Sequence, residues 1–152
     1  MENTQLVIFK LDEEEFGVDI LQVKEILKPQ KIIKVPNAPL VIEGVINLRG
    51  EVYAVFNLRK KLQFPEKEFD GSTKMIIINI GGMDVSFVVD EVTEIIRVEE
   101  DKIKEPPELV TGVNRRYISA VAEIGERSII ILDLQLIMTE TEQEELREFM
   151  QE

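Results

Sequence analysis

The sequence predicts a mainly β protein made of two tandem small barrels of about five strands each, with short connecting helices and a C-terminal helix. Three observations carry this. Apolar runs of strand length recur at short, even intervals between tight turns, as small closed barrels require, because closure removes exposed strand edges. The chain also aligns with itself without gaps in two places: Leu6 to Leu27 falls on Met75 to Ile96, and Ile42 to Leu62 falls on Ile118 to Met138. At the C-terminus the apolar period becomes helical.

Taken in order, Leu6 to Leu11 is an apolar run, and the acids Asp12 to Glu15 turn it into a second strand, Phe16 to Ile20. Ile20, Val23, Ile26 and Leu27 then recur at helical spacing, which predicts a helix ended by Pro29. Lys31 to Val35 reads as strand and Pro36 to Pro39 as turn. The segment Gly44-Val45-Ile46-Asn47-Leu48-Arg49-Gly50, continued by Glu51 to Arg59, reads as strand, turn and strand. β-Branched and aromatic residues flank an Arg-Gly pair whose glycine can take φ > 0, so Gly44, Asn47 and Gly50 are assigned to shaping this turn.

Leu58 to Leu62 predicts a short helical turn, and the polar stretch Phe64 to Ser72 is the best internal boundary. Met75 to Ile80 and Met83 to Val89 form a hairpin about Gly81-Gly82, which Val92 to Val98 extends. Glu105-Pro106-Pro107-Glu108 marks a loop, after which Ile118 to Ile124 and Arg127 to Leu132 enclose Gly125-Glu126. Thr139 and Glu142 fit a capping box ahead of the stripe Leu146, Phe149 and Met150. The chain is therefore expected to be one domain, 1–152, with a first subdomain over about 12–68, a second over about 69–138 to which the strand 5–11 can be added, and a closing helix at 139–150.

The repeat places Val23-Lys24-Glu25-Ile26 on Val92-Thr93-Glu94-Ile95, Phe56 on Leu132 and Asn57 on Asp133. Two barrels side by side leave a groove between them. Phe9, Phe16, Phe56 and Phe87 fall on strand positions and are expected in the core.

Composition excludes much chemistry. With 152 residues and 44% apolar content the chain can bury a core, and a net charge of −12, from 30 acids against 18 bases, opposes nucleic acid and anionic lipid. No cysteine or histidine is present, so there is no disulfide, thiolate metal site, cysteine nucleophile or Ser-His-Asp arrangement. The N-terminus lacks a basic region and no apolar run reaches about 18 residues, so a cytoplasmic location without membrane insertion is expected. Gly81-Gly82 lacks the later glycine and lysine of a phosphate loop.

Four groups of charged residues remain. Asp12 to Glu15 reads as a solvated hairpin tip rather than a cation site, and Arg59-Lys60-Lys61 as a solvated helical turn. Asp19, Glu25 and Asp90 could be assembled into a carboxylate acid and base pair, though nothing in their spacing selects that. Arg49 offers a planar fork of donors on a rigid base. It either pairs with a nearby acid such as Glu51 or Glu25 or faces a partner's carboxylate or carbonyl.

The set Glu15-Phe16-Gly17-Val18-Asp19-Ile20, Val23-Lys24-Glu25-Ile26, Val35-Pro36, Gly44 to Gly50, Val88-Val89-Asp90-Glu91-Val92 and Ile130-Ile131-Leu132-Asp133 resembles the CheW family of bacterial chemotaxis coupling proteins. Order and spacing match from Leu6 to Met138, and Asn47-Leu48-Arg49-Gly50 is specific in that context. The resemblance implies two five-stranded SH3-like barrels, no enzymatic activity and no cofactor. It implies an adaptor joining the cytoplasmic tip of chemoreceptors (methyl-accepting chemotaxis proteins) to the histidine kinase CheA, whose regulatory domain shares the fold.

Carried over by position, the resemblance puts the receptor tip near Ile20, Val23, Glu25, Ile26 and Arg49, with Val92 and Ile95 opposite, and kinase docking at Thr73, Lys74 and Met75. This chain departs from the family pattern at Ala54, where proline is usual, and at Asn57, where aspartate is usual. The change at Asn57 removes a charge that would pair with Arg59 or cap the next turn. The alternatives are a small carboxylate-based hydrolase using Asp19, Glu25 or Asp90, and a two-barrel adaptor for another client.

Overall fold

The computed structural model describes residues 4–106 and 116–151, so the predicted loop at 105–108 lies partly outside the described residues. Among the described residues, eleven strands form two sheets. In chain order they are β1 (Thr4–Leu11), β2 (Glu14–Asp19), β3 (Val23–Leu27), β4 (Ile42–Leu48), β5 (Glu51–Phe56), β6 (Lys74–Ile80), β7 (Met83–Val89), β8 (Glu91–Val98), β9 (Ile103–Lys104), β10 (Ile118–Ile124) and β11 (Arg127–Leu132). A one-turn helix α1 (Leu58–Lys61) follows β5, and α2 (Glu140–Met150) ends the chain. Thr139 and Glu142 form the capping box expected for α2. Among the described residues no helix is long and apolar enough to cross a membrane.

One sheet has the order β8-β1-β2-β11-β10-β9 and the other β3-β6-β7-β5-β4. The internal repeat is exact in register. Leu6 pairs with Ile96 as Met75 pairs with Leu27, and both pairings slip at equivalent places, once between Ile8 and Phe9 and once between Val23 and Glu25. The parallel contact of Phe16, Gly17 and Val18 with Ile130, Ile131 and Leu132 is repeated by Val85, Ser86 and Phe87 with Ala54, Val55 and Phe56. Each sheet thus takes one hairpin from one half of the repeat and its other strands, four in the six-stranded sheet and three in the five-stranded one, from the other half.

This interleaving corrects the expected division near residues 64–72. The hairpin β6-β7 completes the sheet of β3, β4 and β5, because β3 and β5 offer it the two edges that β8 and β11 offer to β1-β2. Strand β1 belongs with β8 to β11 in the other sheet, and so does β2.

Alternation along each strand feeds three cores. On β1, Val7, Phe9 and Leu11 join the layer between the sheets while Leu6 and Ile8 fill one barrel. On β6, Ile76, Ile78 and Ile80 join the same layer while Met75 and Ile77 fill the other barrel. Phe9, Phe16, Phe56 and Phe87 all lie in the layer between sheets, with Phe9 stacked on Phe16 and Phe56 tilted against Phe87. Leu146 of α2 is buried in it too.

Two local expectations are corrected. The helix over Ile20 to Leu27 is a single 3-10 turn, Ile20–Gln22, followed by β3. The bulge between Val23 and Glu25 inserts one residue, so Val23 and Ile26, three apart, both pack on the layer between sheets and imitate a helical period. The strand over Lys31 to Val35 is reduced to one bridge, Ile33 to Val45, the counterpart of the short β9 pairing at Val121.

Arg59 is not solvated. It is 9% exposed, and its guanidinium donates to Asp90 at 3.0 Å, to Asp12 at 2.6 Å and to the Pro65 carbonyl at 2.7 Å, over the Phe64 ring. Asp90 sits between β7 and β8, and Asp12 at the β1-β2 turn also donates its N–H to Asp90. One cation therefore clamps the crossover between sheets. Lys61 pairs with Glu142 at 2.9 Å and ties α1 to α2.

Two outcomes follow for stability. Arg59→Leu leaves the Asp90 side chain, 9% exposed, with only the more distant Lys67 as its cation, at 3.5 Å, and is expected to destabilise by about 3 kcal/mol in urea unfolding. Ser86, fully buried with no hydrogen-bond partner for its hydroxyl among the described residues, occupies the place of Gly17 in the repeat. Ser86→Ala should leave the unfolding midpoint unchanged or raise stability by up to about 1 kcal/mol, because no bond is lost.

Candidate functional site

The β4-β5 turn places Arg49 at φ 51 and Gly50 at φ 87, the pair of positive values that a two-residue hairpin turn of right-handed twist needs. The Asn47 side chain accepts the Gly50 N–H at 3.2 Å, so Asn47 and Gly50 do shape the turn. An L-residue in this conformation costs about 1 kcal/mol, and the counterpart of Arg49 in the second half is Gly125 at φ 60. Gly44 is a correction: it lies within β4, where an added Cβ would sit 2.4 Å from the Ile33 carbonyl oxygen, so it serves the close approach of the Ile33 bridge and not the turn.

Arg49 Nη2 donates to both carboxylate oxygens of Glu25 at 2.7 Å. Of the two acids open to it, Glu25 is its partner, while Glu51 accepts from the Tyr53 hydroxyl at 3.1 Å. Glu25 lies on β3, at one edge of the five-stranded sheet, and Arg49 on the hairpin at the other. The pair closes the barrel across its mouth. With side chains 65% and 31% exposed, it is screened by solvent and adds little to stability.

Beside it, Lys24 pairs with Asp84 at 2.6 Å, and Asn79 donates to the same carboxylate at 3.0 Å. Burial raises the Asp84 pKa, but these two donors outweigh it and hold the group below its usual value. The Arg49 guanidinium is held more basic by the Glu25 hydrogen bond.

The second barrel has a matching closure that sequence reading missed. Arg127 donates to Glu15 at 2.8 Å and Glu94 at 2.9 Å. Glu94 and Glu15 stand where Glu25 and Asp84 stand in the repeat, but the cation comes from the position of Glu51 instead of that of Arg49. The signal was an arginine beginning a strand whose repeat partner begins with glutamate. The Arg127 hydrogen bond lowers the Glu15 pKa against a smaller opposing effect of burial.

Among the apolar candidates, Ile20, Val23, Ile26 and Val92 are partly buried and pack on the margin of the layer between sheets, while Ile95 is 53% exposed. They lie on β3, β8 and the turn before β3, and β3 and β8 are edge strands of the two sheets. Of the kinase candidates, Lys74 is half-buried, and Thr73, 4% exposed, accepts from the Asp70 N–H. Met75 is corrected: it is fully buried inside the barrel, with its sulfur accepting from the Gln30 N–H, and it presents no surface to a partner.

The three carboxylates of the hydrolase alternative do not converge. Asp19 caps the 3-10 turn through the Leu21 N–H, Glu25 holds Arg49, and Asp90 holds Arg59. Asn57 caps α1 through the Lys60 N–H at 2.9 Å and also donates to Glu43 at 2.8 Å, a bond that aspartate could not make. Arg59 takes its carboxylates from Asp12 and Asp90 instead.

A CheW-like domain family model matches residues 5–142. Chemotaxis protein CheW of Treponema pallidum is 32% identical over 95% of this chain and 88% of its own length. Chemotaxis protein CheW of Bacillus subtilis is 35% identical over 88% of this chain and 86% of its own. The crystal structure of scaffolding protein TtCheW from Thermoanaerobacter tengcongensis is similar with a TM-score of 0.81 and 34% identity, over 90% of this chain and 92% of that one.

Arg49→Gly removes the left-handed strain together with the exposed pair, whereas Arg49→Ala removes the pair and keeps the strain. Urea unfolding should therefore rank the glycine variant at least as stable as the alanine variant, with both midpoints close to that of wild type. Because the folded pKa of Glu15 lies below its unfolded value, its contribution is complete above that unfolded value and fades as pH falls through the folded one. The stability gap between wild type and Arg127→Ala should be widest above the ordinary glutamate range and narrow as pH falls below it in urea melts.

Proposed function

The chain belongs to the CheW family and is a non-enzymatic chemotaxis scaffold, and from that premise we propose that it joins the cytoplasmic tip of a methyl-accepting chemoreceptor to the regulatory domain of the histidine kinase CheA. It works in the cytoplasm and is recruited to receptor arrays. The observation that supports this reading is that Ile20, Val23, Ile26 and Val92, on or beside the edge strands β3 and β8, are left partly buried against the layer between the sheets, while Glu25 of the exposed Arg49 pair lies on β3 between Val23 and Ile26.

The receptor tip lies along that margin. The apolar side chains supply desolvated contact, Ile95 extends it outward on β8, and Glu25 and Arg49 fix register by charge. Kinase docking falls to the barrel ends, where Lys74 offers surface and Thr73 holds the loop before β6.

The test is binding of a purified receptor cytoplasmic fragment by calorimetry. Arg49→Ala and Ile95→Asp should each weaken binding by about tenfold or more, equal to about 1.4 kcal/mol, with melting temperature nearly unchanged. Binding lost only in step with unfolding would sink the site assignment. A pull-down from the organism's cytoplasm and solubilised membranes that recovers neither receptor nor CheA kinase would count against the scaffold's partners.

A further inference from the structure

The turn between β6 and β7 is held from both sides. On one side Lys24 of β3 pairs with Asp84 at 2.6 Å, and Asn79 donates to the same carboxylate at 3.0 Å while accepting the Gly82 N–H at 3.2 Å. On the other side Arg147 of α2 donates to the Gly81 carbonyl at 3.3 Å. A Cβ added at Gly81 would lie 3.0 Å from Gln143 Oε1 and 3.1 Å from Arg147 Nη2. Helix α2 therefore rests directly on this turn, and the turn is tied to the strand that carries Glu25. Gln135 adds a third tie by donating to the Asn79 carbonyl from the 3-10 turn Leu134–Leu136 ahead of α2.

The docking of α2 is weak. Of its 11 residues only Leu146 is fully buried, with Phe149 and Met150 partly so. A cavity of about 250 Å³ remains beneath it, lined by Val52, Tyr53, Met83, Asp84, Leu146 and Met150, so its last turn lacks close contact with β5 and β7. Five glutamates against one arginine leave the helix at −4 on a chain of net charge −12, and charge therefore opposes docking. Two polar ties offset this, Arg147 at Gly81 and Glu142 paired with Lys61 at 2.9 Å. A helix of this length is marginal in water by itself, so an undocked α2 also melts. Docked and undocked are thus two discrete states of one element.

We propose that α2 is a latch that exchanges between a docked helix and an undocked, melted chain end, with the β6-β7 turn coupling that exchange to whatever occupies the β3 edge. A partner carboxylate that draws Lys24 from Asp84 releases the turn from β3, weakens the seat of Arg147 and favours undocking. Undocking frees Lys61, on the same short helix as the Arg59 clamp, and uncovers β5 at Tyr53 and Ala54. The latch so links the β3 edge to the crossover held by α1. By linkage, docking of α2 weakens the binding that undocks it by the same factor. The latch rests on the receptor reading only for the identity of the partner at β3.

Amide hydrogen exchange of the full chain, read at Leu146 to Met150, tests this. Lys24→Met should speed exchange there about threefold and Arg147→Met about fivefold, while the core amides of β1 and β6 keep their rates. Both side chains are exposed, so the fold tolerates the changes. Arg127→Ala, which opens the closure of the other barrel, should leave the α2 amides unchanged. A purified receptor cytoplasmic fragment should speed them, and Arg147→Met should bind that fragment more tightly, the opposite of what a merely weakened structure gives. The proposal would be overturned by α2 amides that ignore Lys24→Met, by α2 amides that exchange only together with the core, or by a bound fragment that leaves them unchanged. A fragment that does not bind removes the receptor reading, and the Lys24→Met result still decides the latch.

Discussion

The apolar layer between the two sheets is the constraint on which the rest of the molecule depends. It receives Val7, Phe9, Leu11, Phe16 and Val18 from one sheet and Ile76, Ile78, Ile80, Val85, Phe87, Ala54 and Phe56 from the other. Neither barrel could bury these faces alone, since alternation along each strand gives the barrel interior only half of its side chains. The repeat halves exchange hairpins across this layer, so separating the sheets exposes it and strains both crossovers. Arg59 holds one crossover by charge. Its counterpart carries instead the amide of Gln22, which donates to Asp133 and accepts from the Leu134 N–H.

The same layer explains which apolar residues are left at its margin. Its margin along the edge strands β3 and β8 leaves Val23, Ile26 and Val92 incompletely covered, and bulges in equivalent places turn those residues toward it. The barrels' closing ion pairs are built on equivalent acids but different cations, so two mouths of one design present different charge. An arginine that endures a left-handed backbone to reach Glu25 is a local cost tolerated at an exposed position, where packing gains nothing from it.

Several residues were legible one at a time. The Asn47, Gly50 and Gly81-Gly82 turns, both flanking hairpins, the capping box at Thr139 and the register of the repeat all follow from local chemistry or from alignment of the chain with itself. Other residues misled because tertiary pairing changed their meaning. Ile20 to Leu27 imitates a helix because a bulge shifts strand phase, Arg59 looks like a surface cation until its carboxylates arrive from 47 and 31 residues away, and Met75 faces inward by the parity of β6.

The sequence by itself determined most of the strands, their duplication, the absence of histidine and cysteine chemistry, and the turn that presents Arg49. Those depend on side-chain type and on spacing within a few residues, or on similarity between the halves. Only the tertiary structure decided which hairpin joins which sheet, that Arg49 pairs with Glu25, and that Arg127 closes the other barrel. Each of those is a contact between residues far apart in the chain, where many partners are chemically equivalent and the close-packed layer between sheets selects one.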